Sequence, residues 1–301
     1  MVQKIGIIGL GNMGKNMAVN LLKCGYELVV YDIRQECIDE MIAQGAKGAK
    51  TLRELGSLCD IVFCMVLNFA QVNSVTISES GVVSAMNPDS ILVITSTIAP
   101  SEVQSVAEYC EKLGVRVVDS PVSGGVKGSA DGTMTMMVAC DDKTWQDCKE
   151  VLKCVGSNAL KVSDKIGIGQ VIKAANQLLV SVHIVATAEA LVMATAAGAD
   201  PVVTSEIIKK SVGTSVVFED KTNLIFDRDF ANRGALDIQI KDLNTCLKIG
   251  QEYNVPLPTA IASREFYVWA NGLGYGREDA CAVIKLLEQA SGVEVNPHIA
   301  K

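Results

Sequence analysis

The residues best placed to do chemistry open the chain. Gly9-Leu10-Gly11-Asn12-Met13-Gly14 is a G-x-G-x-x-G loop between an apolar run at residues 5–9 and a helical pattern at 13–24. Gly9 permits a tight turn, Gly11 lets backbone approach a pyrophosphate, and Gly14 lets helix and strand pack closely. The helix amino terminus then stabilises phosphate charge. Asp32 ends the next apolar run, with Ile33 beside it in the same expected nucleotide site. A carboxylate there accepts hydrogen bonds from ribose hydroxyls and repels a 2′-phosphate, which favours NAD over NADP. Arg34 could bind a 2′-phosphate, but with Asp32 in place it reads as a solvated residue of a first helical turn.

A second group lies around residue 173. Lys173 is a cation on an otherwise apolar stretch, with Asn176 and Gln177 following it. At about 100° per residue, Asn176 and Gln177 fall roughly 60° and 40° to either side of Lys173, so the three can serve one pocket. Burial disfavours an ammonium and moves a lysine toward base chemistry. Ser123-Gly124-Gly125 combines a hydroxyl with unhindered backbone N–H groups, a concavity suited to a carboxylate. Only His183 and His298 are present, which excludes a histidine-rich metal site, and no metal is expected. His183 is some 15 Å along the helix from Lys173, too far to share a proton with it.

The elements that must position these residues fall in two sets. Apolar runs at 5–9, 28–32, 60–66, 91–96, 115–120 and 134–139 alternate with helical patterns, the signature of a doubly wound parallel sheet. Thr97 follows the fourth run, and Leu67 and Asn68 follow the third, where loops face the ligand crevice of such a sheet. The alternation ends near residue 163. From 167 the pattern is helical, starting with one helix to about 199 that reads as apolar all round and therefore buried. Shorter helices are expected at 201–212, 219–226, 236–253, 258–272 and 278–289. The expectation is an α/β Rossmann-type nucleotide domain at 1–163 and an all-α domain for substrate and oligomer contacts at 164–301.

Composition narrows the function. The 301 residues carry a net charge of −7 with no basic run, a poor match to nucleic-acid binding. Ten cysteines at irregular spacings, without C-x-x-C, read as reduced thiols in a cytoplasmic protein. The most apolar stretch, 171–199, is interrupted by Asn176, Gln177, His183 and Glu189 and is expected to fall short of a membrane span.

The chain resembles the β-hydroxyacid dehydrogenase family, the group of 3-hydroxyisobutyrate dehydrogenase. The run Ile7 to Leu21, Asp119-Ser120-Pro121-Val122-Ser123-Gly124-Gly125, Gly167-x-Gly169 with Lys173-x-x-Asn176-Gln177, and Lys241-Asp242-Leu243 carry the resemblance in order. Within it the chain is most similar to the L-threonate dehydrogenase branch, through residues 66–71, through 176–179 with 182–184, and through 274–279; Asn68 stands where much of the family has Pro. The resemblance implies NAD-dependent oxidation of a small hydroxy acid such as L-threonate, with Lys173 as general acid/base beside the nicotinamide. It implies that Asn176 orients the reacting groups, that Ser123, Gly124, Gly125 and Gln177 hold the substrate, and that Thr97, Leu67, Asn68 and Lys241 contact the cofactor. It also implies a homodimer or homotetramer. Reduction of tartronate or succinic semialdehyde by the same residues is the alternative, and a non-catalytic nucleotide-binding scaffold is a minor one.

Overall fold

A computed structural model describes residues 3–297, so His298 lies outside it. The chain divides into two compact units, Met1–Lys173 and Ala174–Lys301. The first unit holds β1 (Lys4–Ile8), α1 (Gly14–Lys23), β2 (Glu27–Tyr31), α2 (Gln35–Ile42), β3 (Lys47–Gly48), α3 (Leu52–Leu58), β4 (Ile61–Cys64), α4 (Phe69–Thr76), β5 (Ile91–Ile94), α5 (Pro100–Glu111), β6 (Arg116–Asp119), β7 (Val122–Ser123), α6 (Gly125–Asp131), β8 (Thr135–Ala139), α7 (Asp142–Val155) and β9 (Asn158–Ser163).

The strands are short aliphatic runs because both faces of the sheet are covered. Ile7 of β1 packs in one core with Met17 and Leu21 of α1 and Leu152 of α7. Its neighbour Ile8 points to the other core, with Leu55 of α3 and Val103 of α5. A strand alternates its side chains between faces, so a strand buried on both must be apolar at every position. The sheet order is β3-β2-β1-β4-β5-β6-β8-β7, with β9 beside β8. The pairs from β3 to β6 are parallel. The order reverses between β1 and β4, which opens a crevice at their carboxyl ends. Beyond β6 the sheet is mixed, because β8 runs antiparallel to β6 and β7. The two-residue strands β3 and β7, and the half-exposed β9, carry no apolar run, and the sequence pattern passes over them.

The long helix α8 (Ile168–Ala196) starts in the first unit and continues into the second. The division therefore falls inside α8, beyond residue 163, and its first turn belongs with the sheet. The second unit adds α9 (Pro201–Lys209), α10 (Val216–Phe226), α11 (Leu236–Glu252), α12 (Pro258–Gly272) and α13 (Ile284–Ser291). Asp200 caps α9 by accepting from the N–H groups of Val202 and Val203, with Pro201 in the first turn, as its sequence predicts. The core joins Ile184, Ala188 and Leu191 of α8 to Leu243, Tyr267 and Ile284. Those α8 residues share one helix face.

Three expectations need correction. α8 is not buried all round: Leu179 is 54 % exposed and Met193 70 %, since the following helices cover one face only. It is also long and apolar enough to cross a membrane by length and composition, because its interrupting residues are mostly uncharged. Finally, the ten cysteines are not all thiols. Cys24, at the end of α1, is bonded to Cys154 near the end of α7. These two α/β helices pack side by side on one sheet face, which irregular sequence spacing cannot reveal. The other eight are free and buried.

Candidate active site

The glycine loop follows β1 into α1. Gly9 has φ of 94°, and a Cβ on it would lie 2.2 Å from the Met65 carbonyl oxygen. A Cβ on Gly14 would lie 1.9 Å from the Gly9 carbonyl oxygen. Both are glycine for reasons internal to the fold. Gly11 differs, because a Cβ there meets nothing within 4 Å. Its side faces open space, as a backbone left bare for a ligand requires. Asn12 and Gly11 are exposed and Met13 is half-buried, whereas the Leu10 side chain is buried and only its backbone is turned to the loop.

That backbone holds Asp32. The Leu10 N–H donates to Asp32 Oδ2 at 2.6 Å, and the Arg34 N–H and Nε donate to Oδ1 at 2.9 and 3.2 Å. Burial raises the Asp32 pKa, but the bonds from Leu10 and Arg34 outweigh it, so the carboxyl sits below its ordinary range. The side chain of Arg34 is spent on Asp32 and on the Leu10 carbonyl. Ile33 is 88 % exposed beside them.

The loops after β4 and β5 lie at the same end of the sheet. Asn68 caps α4 by accepting from the Gln71 N–H at 3.0 Å, while Gln71 Oε1 accepts from the Leu67 N–H at 2.9 Å. The Leu67 side chain is half-exposed. Ser96 Oγ accepts from the Val66 N–H, which ties the two loops together, and Thr97 follows it, half-buried. Ser123 ends β7. Gly124, with φ of 133°, and Gly125, with φ of 61°, turn the chain into α6. Sequence reasoning missed what carries this turn. Asn16 of α1 donates to Ser129 Oγ at 2.9 Å, and Asn20 donates to the Ser129 carbonyl at 2.8 Å. These asparagines lie on one face of the helix that the glycine loop opens, so the two loops share one support.

Lys173 sits on α8 at 7 % exposure, and among the described residues it is the only Lys or Arg that is buried. Asn176 and Gln177 follow on the same helix in the second unit, with Asn176 Nδ2 donating to Gln177 Oε1 at 3.1 Å. Gln177 Nε2 donates to Asp242 Oδ2 at 2.6 Å. The Lys241 ammonium lies 2.7 Å from Asp242 Oδ1. Asp242, which the sequence shows only as the middle of the Lys241-Asp242-Leu243 motif, thus joins α11 to Gln177; that contact spans 65 residues and has no local signal. Phe218 is buried at 4 % exposure in α10, a packing role. His183 is half-buried, and its carbonyl accepts from Thr187 Oγ1. No group of three or more His, Cys, Asp or Glu among the described residues could hold a metal.

Comparison with known proteins identifies the family. Residues 4–167 match the family model of the NAD binding domain of 6-phosphogluconate dehydrogenase. Residues 167–287 match that of the NAD-binding domain of NADP-dependent 3-hydroxyisobutyrate dehydrogenase. The chain belongs to the NAD(P)-dependent β-hydroxyacid dehydrogenases. As a member of that family it is an oxidoreductase acting on CH–OH groups with a nicotinamide cofactor. This dehydrogenase is 38 % identical to a 2-(hydroxymethyl)glutarate dehydrogenase of Eubacterium barkeri, over 97 % of both chains. It is 33 % identical to an L-threonate dehydrogenase of Cupriavidus necator, over 95 % of this chain and 96 % of that one. Among solved structures it is similar to a 3-hydroxyisobutyrate dehydrogenase of Salmonella typhimurium, with a TM-score of 0.86, 34 % identity, and coverage of 94 % and 99 %.

Proposed function

We propose that this dehydrogenase oxidises a small hydroxy acid with NAD, and that Lys173 carries the hydroxyl proton. The observation behind this reading is the burial of that one lysine, three residues before Asn176 and within one turn of Gln177. Burial disfavours the charged form of an amine and moves a lysine toward base chemistry. Lys173 takes the proton as the alcohol is oxidised and returns it in reduction. Asn176 orients the hydroxyl. The hydroxyl of Ser123 and the bare backbone of Gly124 and Gly125 receive the substrate carboxylate, and Gln177, braced by Asp242, contacts the rest of the acid.

When bound, the nicotinamide accepts the hydride. The chain's own part is to hold it. The loop from Gly9 through Leu10, Gly11, Asn12 and Met13 to Gly14 fits a pyrophosphate, since Gly11 is open where a Cβ would obstruct. Asp32 and Ile33 take the adenosine end, and Leu67, Asn68, Thr97 and Lys241 line the rest. NAD is preferred to NADP because Asp32 is kept ionised and Arg34 is already bound to it.

Two substrate classes have support. The 38 % relative points to a hydroxymethyl dicarboxylate, and the L-threonate dehydrogenases to a four-carbon sugar acid. The test is NAD reduction with 2-(hydroxymethyl)glutarate, L-threonate and 3-hydroxyisobutyrate, set against NADH oxidation with tartronate semialdehyde. We expect Lys173→Ala to lose at least about 100-fold in kcat on the best of them. Full turnover by that variant would sink the mechanism. We also propose a homo-oligomer, supported by the exposed apolar residues of α8; sedimentation at the mass of one 32.0 kDa chain would refute it.

A further inference from the structure

One buried pair in the first unit is unused by the chemistry above. Asp119, at the end of β6, is fully buried, and so is Gln170 in the first turn of α8. Asp119 Oδ2 accepts from the N–H groups of Gly167 at 2.9 Å and Gln170 at 3.4 Å. Its Oδ1 accepts from Gln170 Nε2 at 2.9 Å. The same Nε2 donates to the Ser96 carbonyl at 3.1 Å, and Gln170 Oε1 accepts from the Ile98 N–H at 3.1 Å. One amide side chain therefore grips the backbone on both sides of Thr97. The approach is close enough that a Cβ on Gly169 would lie 2.5 Å from the Met137 carbonyl and 2.9 Å from Asp119 Oδ2.

Lys173 lies three residues beyond Gln170 on this helix. Residues so spaced lie on neighbouring positions of one face, and a turn moves as a unit. We propose that Gln170, anchored by Asp119, is a positioning residue that sets Lys173 in register with the Thr97 loop. The proposal rests on Lys173 being the proton carrier. A helix end needs satisfied N–H groups, but any surface cap supplies those. This one instead reaches a second loop through both ends of an amide. A glutamate could not replace it, since it lacks the donors for Asp119 and Ser96. Burial pushes the Asp119 carboxyl up to about 6 in spite of its N–H partners.

The test uses the full chain, with NAD and its best hydroxy acid. Gln170→Met keeps side-chain length and removes the grip. We expect kcat to fall about 10- to 100-fold, with the KM for NAD changed less than about threefold, because a displaced base slows the reaction more than it weakens binding. Hydrogen exchange should quicken at the Ile98 amide and at residues 167–170, but not in β1. Gln170→Met combined with Lys173→Ala should be no slower than Lys173→Ala alone, the non-additivity of a residue acting through another. If Gln170→Met yields no folded protein, Gln170→Asn, which keeps the amide but shortens it, is read by the same criteria. Should Lys173→Ala be inactive while a folded Gln170 variant keeps its kcat, the positioning role is overturned and the lysine reading survives. Should Lys173→Ala stay active, the lysine reading fails first, and the positioning role with it.

Discussion

Asn68 shows how a residue that the sequence marks for one reason does something else as well in the folded chain. Its departure from proline reads in the sequence as a branch marker. In the folded chain it is the cap of α4, completed by Gln71. We expect Asn68→Ala to lower the unfolding free energy by about 1 kcal/mol in urea denaturation, and Asn68→Asp to restore it. Asp32 carries a different prediction. Asp32→Ser should cut the NAD-to-NADP ratio of kcat/KM by at least about tenfold, because the repulsion of a 2′-phosphate is removed and Arg34 is released. Its effect on stability has a definite sign. The folded pKa lies below the ordinary carboxyl value, so the stabilisation is present above that value and is lost as pH falls through the folded pKa. Denaturation of wild type and Asp32→Asn across pH 3 to 6 should converge toward the acid end; parallel curves would refute the assignment. The place of Asp32 beside the glycine loop was legible because a carboxylate at the end of the second strand of such a sheet follows that loop in a known pattern. Gln170 was not, since its partners lie 51 and more residues away and nothing local marks it.

Elements repeat the lesson with packing in place of single bonds. The bounds of α7 and α12 follow directly from residue type: Asp141 caps the one, and Pro258 opens the other. Strands β1, β2, β4, β5, β6 and β8 are legible because burial on two faces makes their interiors apolar and confines polar residues to their ends. β3 and β7 are too short to carry a pattern. They exist because a neighbouring strand offers unpaired backbone groups. α8 was read as uniformly buried because composition records how apolar a helix is, not which flank is covered. At the end of α10, Arg228 forms a two-point ion pair with Glu288 of α13 at 2.6 and 2.9 Å. Arg228→Ala leaves a carboxylate at 7 % exposure without its partner. We expect a loss of about 2 kcal/mol by chemical denaturation, with only part recovered in Arg228→Lys, which lacks the planar fork that meets both carboxylate oxygens. A change under about 0.5 kcal/mol would show the pair to be solvated in practice.

For the whole molecule, the compact units divide after Lys173, inside α8. We propose that the nucleotide domain runs past residue 163 into the first turn of α8, because Gly167 and Gln170 supply the bonds that satisfy the buried carboxyl of Asp119. A fragment ending at Ser163 strands that group, and one ending at Lys173 does not. The longer fragment should unfold at the higher denaturant concentration, and NAD at 100 times its Kd should stabilise it by about 2.7 kcal/mol. Equal midpoints for the two fragments would argue against this limit.

Much of the protein was determined by its sequence alone: the sheet-and-helix order, the glycine loop after the first strand, an acidic residue at the end of the second, and a lysine out of place on an apolar helix. Each of these follows from side-chain type at a short spacing, which is local. The tertiary structure alone decided that Gln170 joins Asp119 to both sides of Thr97, that Gln177 leans on Asp242, and that Cys24 meets Cys154. Those contacts join residues far apart in the chain, and they form only once the sheet and its helices have brought the segments together.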